Sequence, residues 1–285
     1  MATKDQWAGA LGARWAQHVD AQERMMAAPG RETMDALGPL DGARILDMGC
    51  GGGATTLELA HRAGPVGTAT GLDVSTDVLA AARARRADAA ARGEAPAAAV
   101  EFIHGDAAQW TAPAPFDALY SRCGAMFFDD QRAAYAHIRA QMAPGGRMAL
   151  FAWGRREACA WGWLPRKALG ELLPPAPQAE EAAPGPFRWG EIEPVLEMLA
   201  AAGWQDPAAR KIAPLTPLSH GDDPDPLARG IAHCFALGPA SGPLGEADEA
   251  TRAAARDRLA EALAPYVKDG AVQLPAEAWI VTARA

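Results

Sequence analysis

Cysteine is scarce and scattered. Cys50, Cys123, Cys159 and Cys234 stand alone with no C-x-x-C pair, so neither a disulfide framework nor a zinc site is expected, and no other metal site is indicated. Basic charge is short as well: 27 Lys and Arg face 35 Asp and Glu, a formal net charge of -8. That argues against a nucleic-acid partner, because phosphate binding draws on clustered Lys and Arg. No apolar run approaches the ~18 residues of a membrane helix, and the opening MATKDQWAGALG lacks the apolar stretch of an export signal. Aromatics are only 7% of the 285 residues, yet 49% of the chain is hydrophobic. Length and apolar content therefore suffice for a real core, in one large domain or two modest ones. A soluble, cytoplasmic protein without a membrane partner is expected.

What is present is ordered in a clear sequence of patterns. Residues 6–34 read as an amphipathic helix, with Trp7, Leu11, Trp15, Val19 and Met26 on its apolar stripe, interrupted at Pro29-Gly30 and ended by Gly38-Pro39. Short apolar runs then alternate with helical patterns: strands at 45–48, 69–74, 100–104, 116–121 and 146–153, helices at 55–62, 76–92 and 130–142. Such alternation predicts an open, mostly parallel sheet covered on both faces. After Trp153 the regularity breaks. Residues 154–189 carry Trp161, Trp163, Trp189 and the stretch LLPPAPQAEEAAPGPF, which cannot be one regular element. A helix is expected at 191–202, stopping at Gly203, then a strand at 208–215, an insertion at 218–276 with a helix at 246–264, and a last apolar strand at 278–283.

The chemistry concentrates in ILDMGCGGGATTLELA. Gly49, Gly51 and Gly53 lie where a strand turns into a helix; without Cβ atoms the backbone can approach a ligand and take positive φ, and the helix start behind it has free N–H groups. Asp47 precedes the first glycine by two residues. There a carboxylate would repel a pyrophosphate but could hold an ammonium, or it could cap the turn. The dinucleotide pattern G-x-G-x-x-G also fails, because Ala54 takes its third glycine position. Asp73, in GLDVS, ends the second strand where a carboxylate can accept from ribose hydroxyls. Asp106, in HGDAAQW, ends the third, placed for an adenine amino group. Taken singly either would be an ordinary turn or cap residue; their order is what matters. An ammonium, a ribose and an adenine together describe S-adenosylmethionine.

LDMGCGGG, GLDVS, GDA, FDALYSRCGAMFF and APGGRMALFAW resemble the successive motifs of class I S-adenosylmethionine-dependent methyltransferases, most nearly the small-molecule enzymes related to the ubiquinone/menaquinone biosynthesis methyltransferases. The resemblance covers residues 41–153 well and the last helix and strands more loosely. It implies an α/β, Rossmann-like, seven-stranded, mostly parallel sheet of order 3-2-1-4-5-7-6, the last strand antiparallel, with helical cap insertions. It also implies that Asp47, Gly49, Cys50, Gly51 and Gly53 hold the methionine moiety, Asp73 with Val74 the ribose, Asp106 with Ala107 the adenine, and that Ser121 and Arg122 lie beside the methionine end. Cys50 would act through its backbone. The expected division is a helical lid (1–40), the cofactor core (41–153), an insertion over the acceptor site (154–189), a core helix and strand (190–217), a helical insertion (218–276) and the final strand (277–285).

The acceptor side is less defined. One of Met126, Phe127 and Phe128 is expected to reach the acceptor, and Trp153, Trp161, Trp163 and Trp189 form either a satellite apolar cluster or an aromatic wall. Trp7, Trp15 and Arg14 are either helix packing or cofactor contacts. For an oxygen acceptor that needs a base, the candidates are His18 and Asp129 (or Asp130), with His137 too far along its helix. The rivals are a dehydrogenase, which Asp47 opposes, a macromolecule methyltransferase, which the charge opposes, and a cofactor-binding protein with another reaction or no turnover. A homodimer is left open.

Overall fold

The computed structural model describes residues 4–175, 183–219 and 224–285. Part of LLPPAPQAEEAAPGPF, at 176–182, and residues 1–3 and 220–223 of the expected lid and second insertion lie outside the described residues. In chain order the elements are α1 (Lys4–Ala8), α2 (Ala10–Ala16), α3 (Val19–Asp35), β1 (Arg44–Met48), α4 (Ala54–Ala63), β2 (Thr68–Asp73), α5 (Thr76–Ala91), β3 (Ala99–His104), β4 (Phe116–Arg122), α6 (Gln131–Arg139) and β5 (Met142–Trp153). There follow α7 (Ala160–Leu169), α8 (Glu193–Ala201), β6 (Gln205–Ile212), β7 (Leu215–Pro217), α9 (Pro226–Ala236), α10 (Ser241–Glu246), α11 (Glu249–Leu263), β8 (Val267–Lys268), β9 (Ala271–Pro275) and β10 (Ala278–Arg284). Two compact units result: Met1–Trp153 with Glu181–Ile212 and Ala278–Ala285, and Gly154–Glu180 with Ala213–Glu277.

The first unit is built on a seven-stranded sheet of order β3-β2-β1-β4-β5-β10-β6, which counted within the sheet is 3-2-1-4-5-7-6. Only β10 is antiparallel, to β5 on one side and β6 on the other. The central β1 is buried along almost its whole length, as a parallel strand covered on both faces must be. Side chains alternate across it. Leu46 and Met48 enter a core with Tyr135 and Ile138 of α6 and Val195 and Leu199 of α8, while Ile45 enters the opposite core with Leu57 and Ala60 of α4. The same alternation puts Asp47 on the α4 face, and this places the site. The order reverses between β1 and β4, where open α/β sheets bind ligands beyond their carboxyl ends.

The second unit holds α7, α9, α10, α11 and a three-stranded sheet, β7-β9-β8, antiparallel throughout. That sheet was not expected in an insertion read as helical. The long helix starts at Glu249 rather than 246 because the Asp248 carboxylate caps it, accepting from the Thr251 N–H at 2.8 Å. The strand expected at 208–215 is in fact β6, which ends at Ile212; past it Pro214 gives its carbonyl to the Ala276 N–H, and Leu215 begins a strand of the other unit.

The N-terminal helix also differs. It is three helices, broken at Gly9 and at Gln17-His18, and it runs on through Pro29-Gly30. Pro29 and Gly30 are both buried. The Thr33 hydroxyl donates to the Pro29 carbonyl, and Gly30 lies so near β4 that a Cβ there would come within 3.1 Å of the Arg122 side chain. Packing on β4 outweighs the local cost of Pro in a helix. Among the described residues no helix is long and apolar enough to cross a membrane.

Candidate active site

The chain leaves β1 through the turn at residues 49–53. Gly49, Gly51 and Gly53 have φ of 68°, 51° and 75°, a region costly for any L side chain. Gly53 must also be bare, since a Cβ there would lie 2.7 Å from the Phe102 ring and 2.8 Å from Ala82. At Gly51 the reverse holds: a Cβ would meet nothing nearer than Trp15 Nε1 at 4.0 Å. The Cys50 side chain is buried between sheet and α4, where burial pushes its thiol well above the usual range, so the residue offers backbone and not a thiolate.

Asp47 does two things. Its Oδ2 accepts from the hydroxyls of Thr55 and Thr56, both at 2.7 Å, at the first turn of α4. Its Oδ1 is buried with no hydrogen-bond partner among the described residues. Burial pushes the carboxyl up to about 6, although the two hydroxyls and Arg122 pull it down. One oxygen thus braces the turn while the other leaves an acceptor unused, a costly arrangement unless a ligand supplies the donor.

Asp73 is tied to the same turn. Its Oδ2 accepts the Gly51 N–H and its Oδ1 the Ser75 N–H, each at 2.9 Å; burial raises this carboxyl too. Each ionised oxygen can accept again. The Val74 carbonyl beside it accepts from His104 Nε2 at 3.0 Å. Asp106 Oδ1 accepts the Ala108 N–H at 2.9 Å, and Ala107 is buried in the sheet core. On the other side of β1, Ser121 Oγ donates to the Met48 carbonyl at 2.6 Å and ties β4 to β1. Arg122 pairs with Glu23 of α3, both side chains largely buried. Burial alone would lower its guanidinium, but Glu23, together with Tyr120 and Cys123, holds it above its ordinary value. After β4, Cys123 takes φ 63° and its thiol faces Met26 Sδ at 3.5 Å.

The N-terminal helices close on this turn. Gly12 sits so tightly on Ser75 that a Cβ would lie 2.3 Å from its hydroxyl, and Val19 packs on Gly52 at 3.0 Å in the same sense. Trp7 meets Trp15 and Phe127 edge-on, at ring separations of 5.2 and 5.5 Å. Glu23 was missed in the sequence, although a charged residue beside Val19 and Met26 on the inward stripe is the kind of signal that marks a buried partner.

The expected catalytic and acceptor residues fare unevenly. His18 forms the α2–α3 junction, its N–H donating to Trp15 and its carbonyl accepting from Gln22. Asp129 is exposed at the surface, with its backbone carbonyl held by Arg188, a poor setting for a base that must work away from water. Asp130 caps α6 by accepting the Ala133 N–H, and His137 donates to the Trp110 carbonyl at 2.9 Å. Met126, expected as an acceptor wall, is fully buried in the sheet core beside Met48 and Tyr135; Phe127 is the neighbour that turns to Trp7. Trp189 likewise packs in that core, against Tyr135, because α8 and its approach cover this face of the sheet. Trp153 is buried edge-on to Phe151. Trp161 and Trp163 lie on α7 of the second unit. Among the described residues no group of three or more His, Cys, Asp and Glu could hold a metal.

This sheet order, with its glycine turn after β1 and acids at the ends of β1, β2 and just past β3, is the fold of the class I methyltransferases. Residues 45–146 match the family described as "Methyltransferase domain". Nocamycin O-methyltransferase of Saccharothrix syringae is 31% identical over 173 residues, 60% of this chain and 52% of that protein. Trans-aconitate 2-methyltransferase of Klebsiella pneumoniae is 29% identical over 122 residues, 43% of this chain and 44% of that one. The chain spans about half the length of these curated relatives. Among solved structures, the [4+2]-cyclase SpnF aligns with 99% of this chain and 96% of its own at a TM-score of 0.55 and 22% identity.

Proposed function

We propose that the protein is an S-adenosylmethionine-dependent methyltransferase acting on a small-molecule acceptor, and we assign it within that class to the enzymes related to the ubiquinone/menaquinone biosynthesis methyltransferases. The observation that carries the reading is the unused Asp47 Oδ1 beside an open glycine turn. The bound cofactor would supply a methyl group made electrophilic by its sulfonium. Asp47 would hold its ammonium, the 49–53 backbone its methionine chain, Asp73 with Val74 its ribose, and Asp106 with Ala107 its adenine. Ser121 would fix the β1–β4 spacing beside the sulfur. The chain's part in the reaction is then to align the acceptor in line at about 3–3.5 Å and to keep water out; helices α1–α3 serve as the lid over the turn, and Trp7, Trp15 and Phe127 form its aromatic lining.

Proton removal is the weak element, and this favours one class of acceptor. Asp130 and His137 are committed to structural hydrogen bonds and Asp129 is exposed, which leaves His18. An oxygen that is already anionic near neutral pH, such as a carboxylate, needs no base. The names of the two curated relatives, one an O-methyltransferase and the other acting on trans-aconitate, agree with that class. That His18 alone is left among the expected bases also supports a second reading, a cofactor-binding protein with another reaction or no turnover, and the likeness to a cyclase agrees with a fold that does not fix the reaction. Transfer of a labelled methyl group to a panel of carboxylic acids, phenols and amines decides: label on an acid or acidic hydroxyl supports the first reading, and tight cofactor binding with no transfer supports the second. A cytoplasmic location belongs to the same proposal, with a homodimer left to sedimentation velocity.

A further inference from the structure

Gln22 lies on the inward stripe of α3. Val19, three residues before it, packs on Gly52, and Met26, four residues after it, faces Cys123. Glu23 beside it pairs with Arg122. Residues at these spacings share a helical face, so Gln22 stands between the glycine turn and the end of β4, across the point where the strand order reverses. It is 4% exposed, and its side-chain oxygen is buried with no hydrogen-bond partner among the described residues. Methionine or leucine at this position would fill the space without stranding an acceptor.

Asp47 Oδ1, at the carboxyl end of β1, is in the same condition. Glu23, which follows Gln22 in α3 and whose charge reaches Asp47, is already paired with Arg122. Two stranded acceptors, one on the inward stripe of α3 and one at the tip of β1, call for a ligand group with several N–H donors, and the negative charge of Asp47 calls for a cation. We propose that Gln22 is a second ligand for the ammonium of the cofactor's amino-acid end, its amide oxygen and Asp47 Oδ1 accepting from the same –NH3+ group. This rests on the cofactor reading above and extends it to a residue outside the glycine-turn motif. It also gives α3 a role beyond covering the turn, since binding would be complete only with this helix in place.

Calorimetry tests it with two probes, S-adenosylhomocysteine and its analogue in which the amino group is replaced by hydrogen, on the wild-type protein, Gln22→Met and Gln22→Asn. Gln22→Met should bind S-adenosylhomocysteine about 10- to 100-fold more weakly, the worth of a hydrogen bond to a charged group, and should bind the desamino analogue as the wild type does. Without ligand it should melt no lower than the wild type, because a stranded acceptor has been removed. Gln22→Asn, whose oxygen is drawn back by one methylene, should show the same selective loss and serves if the methionine variant fails to fold. Undiminished affinity in both variants, or an equal loss for both probes, overturns the proposal. A wild-type protein that binds neither probe overturns the cofactor reading itself, whereas wild-type binding that depends on the amino group but not on Gln22 overturns this inference alone.

Discussion

Replacing Asp47 by Asn should change how the stability of the ligand-free protein depends on pH. Burial lifts this carboxyl from 3.8 to about 6, a shift of about 2 pH units, each worth about 1.4 kcal/mol. A group whose pKa is raised on folding favours the native state while both states are protonated, and that contribution is lost as pH rises through the folded value. The wild-type protein should therefore lose about 3 kcal/mol from this one group between pH 3.8 and about 6. The asparagine oxygen can still accept from Thr55 and Thr56, but its NH2 then takes the place of the stranded Oδ1, a pH-independent cost of about 1–3 kcal/mol. The height of the variant's stability curve is thus not the readout; its shape is. Urea unfolding of both proteins across this range should show the difference moving in favour of Asp47→Asn by about 3 kcal/mol as pH rises. A constant difference would mean that Asp47 is not ionising in a buried site, and the account of its unused oxygen would fall.

Other outcomes follow from single contacts. Gly53→Ala combines a φ of 75° with a Cβ 2.7 Å from Phe102 and should cost about 2–3 kcal/mol in denaturant unfolding. Glu23→Ala leaves Arg122 largely buried without its partner and should cost about 3 kcal/mol, whereas an unchanged midpoint would make the pair incidental. Met126→Ala, in the sheet core, should lower stability by about 2–5 kcal/mol, a loss that a side chain lining an open site would not show. Trp15→Ala should weaken S-adenosylhomocysteine binding in calorimetry with little change in melting temperature; a large drop in melting temperature with affinity kept would reduce the aromatic pair to packing.

The sheet was legible because its signals are local. Ile45, Leu46 and Met48 make an apolar run that only a covered central strand explains, and the glycines after it have no other use than a bare turn with positive φ. The order of Asp47, Asp73 and Asp106 could be read for the same reason: each closes a strand or follows it directly. What could not be read depends on contacts far apart in the chain. Pro29-Gly30 looks like a break until β4 is beside it, where the absence of a Cβ at Gly30 lets Arg122 pass. Met126 and Trp189 carry no periodic pattern, so whether they face a site or a core is decided only when α6 and α8 bring Tyr135 and Leu199 to them. The roles of Gln22 and Glu23 were hidden likewise. A polar residue on an apolar stripe has no visible partner until the crevice between β1 and β4 is built.

The central claim is that acids at the tips of β1, β2 and just past β3, set around an open glycine turn, hold an adenosyl amino acid. Calorimetric titration of the wild-type protein, Asp47→Asn and Asp73→Asn with S-adenosylhomocysteine, and of the wild type with NADH, tests it most directly. Saturable binding of S-adenosylhomocysteine by the wild type, at least tenfold weaker in each folded variant, with no heat from NADH, is the predicted result. Equal affinity in all three proteins, or a preference for NADH, would contradict it.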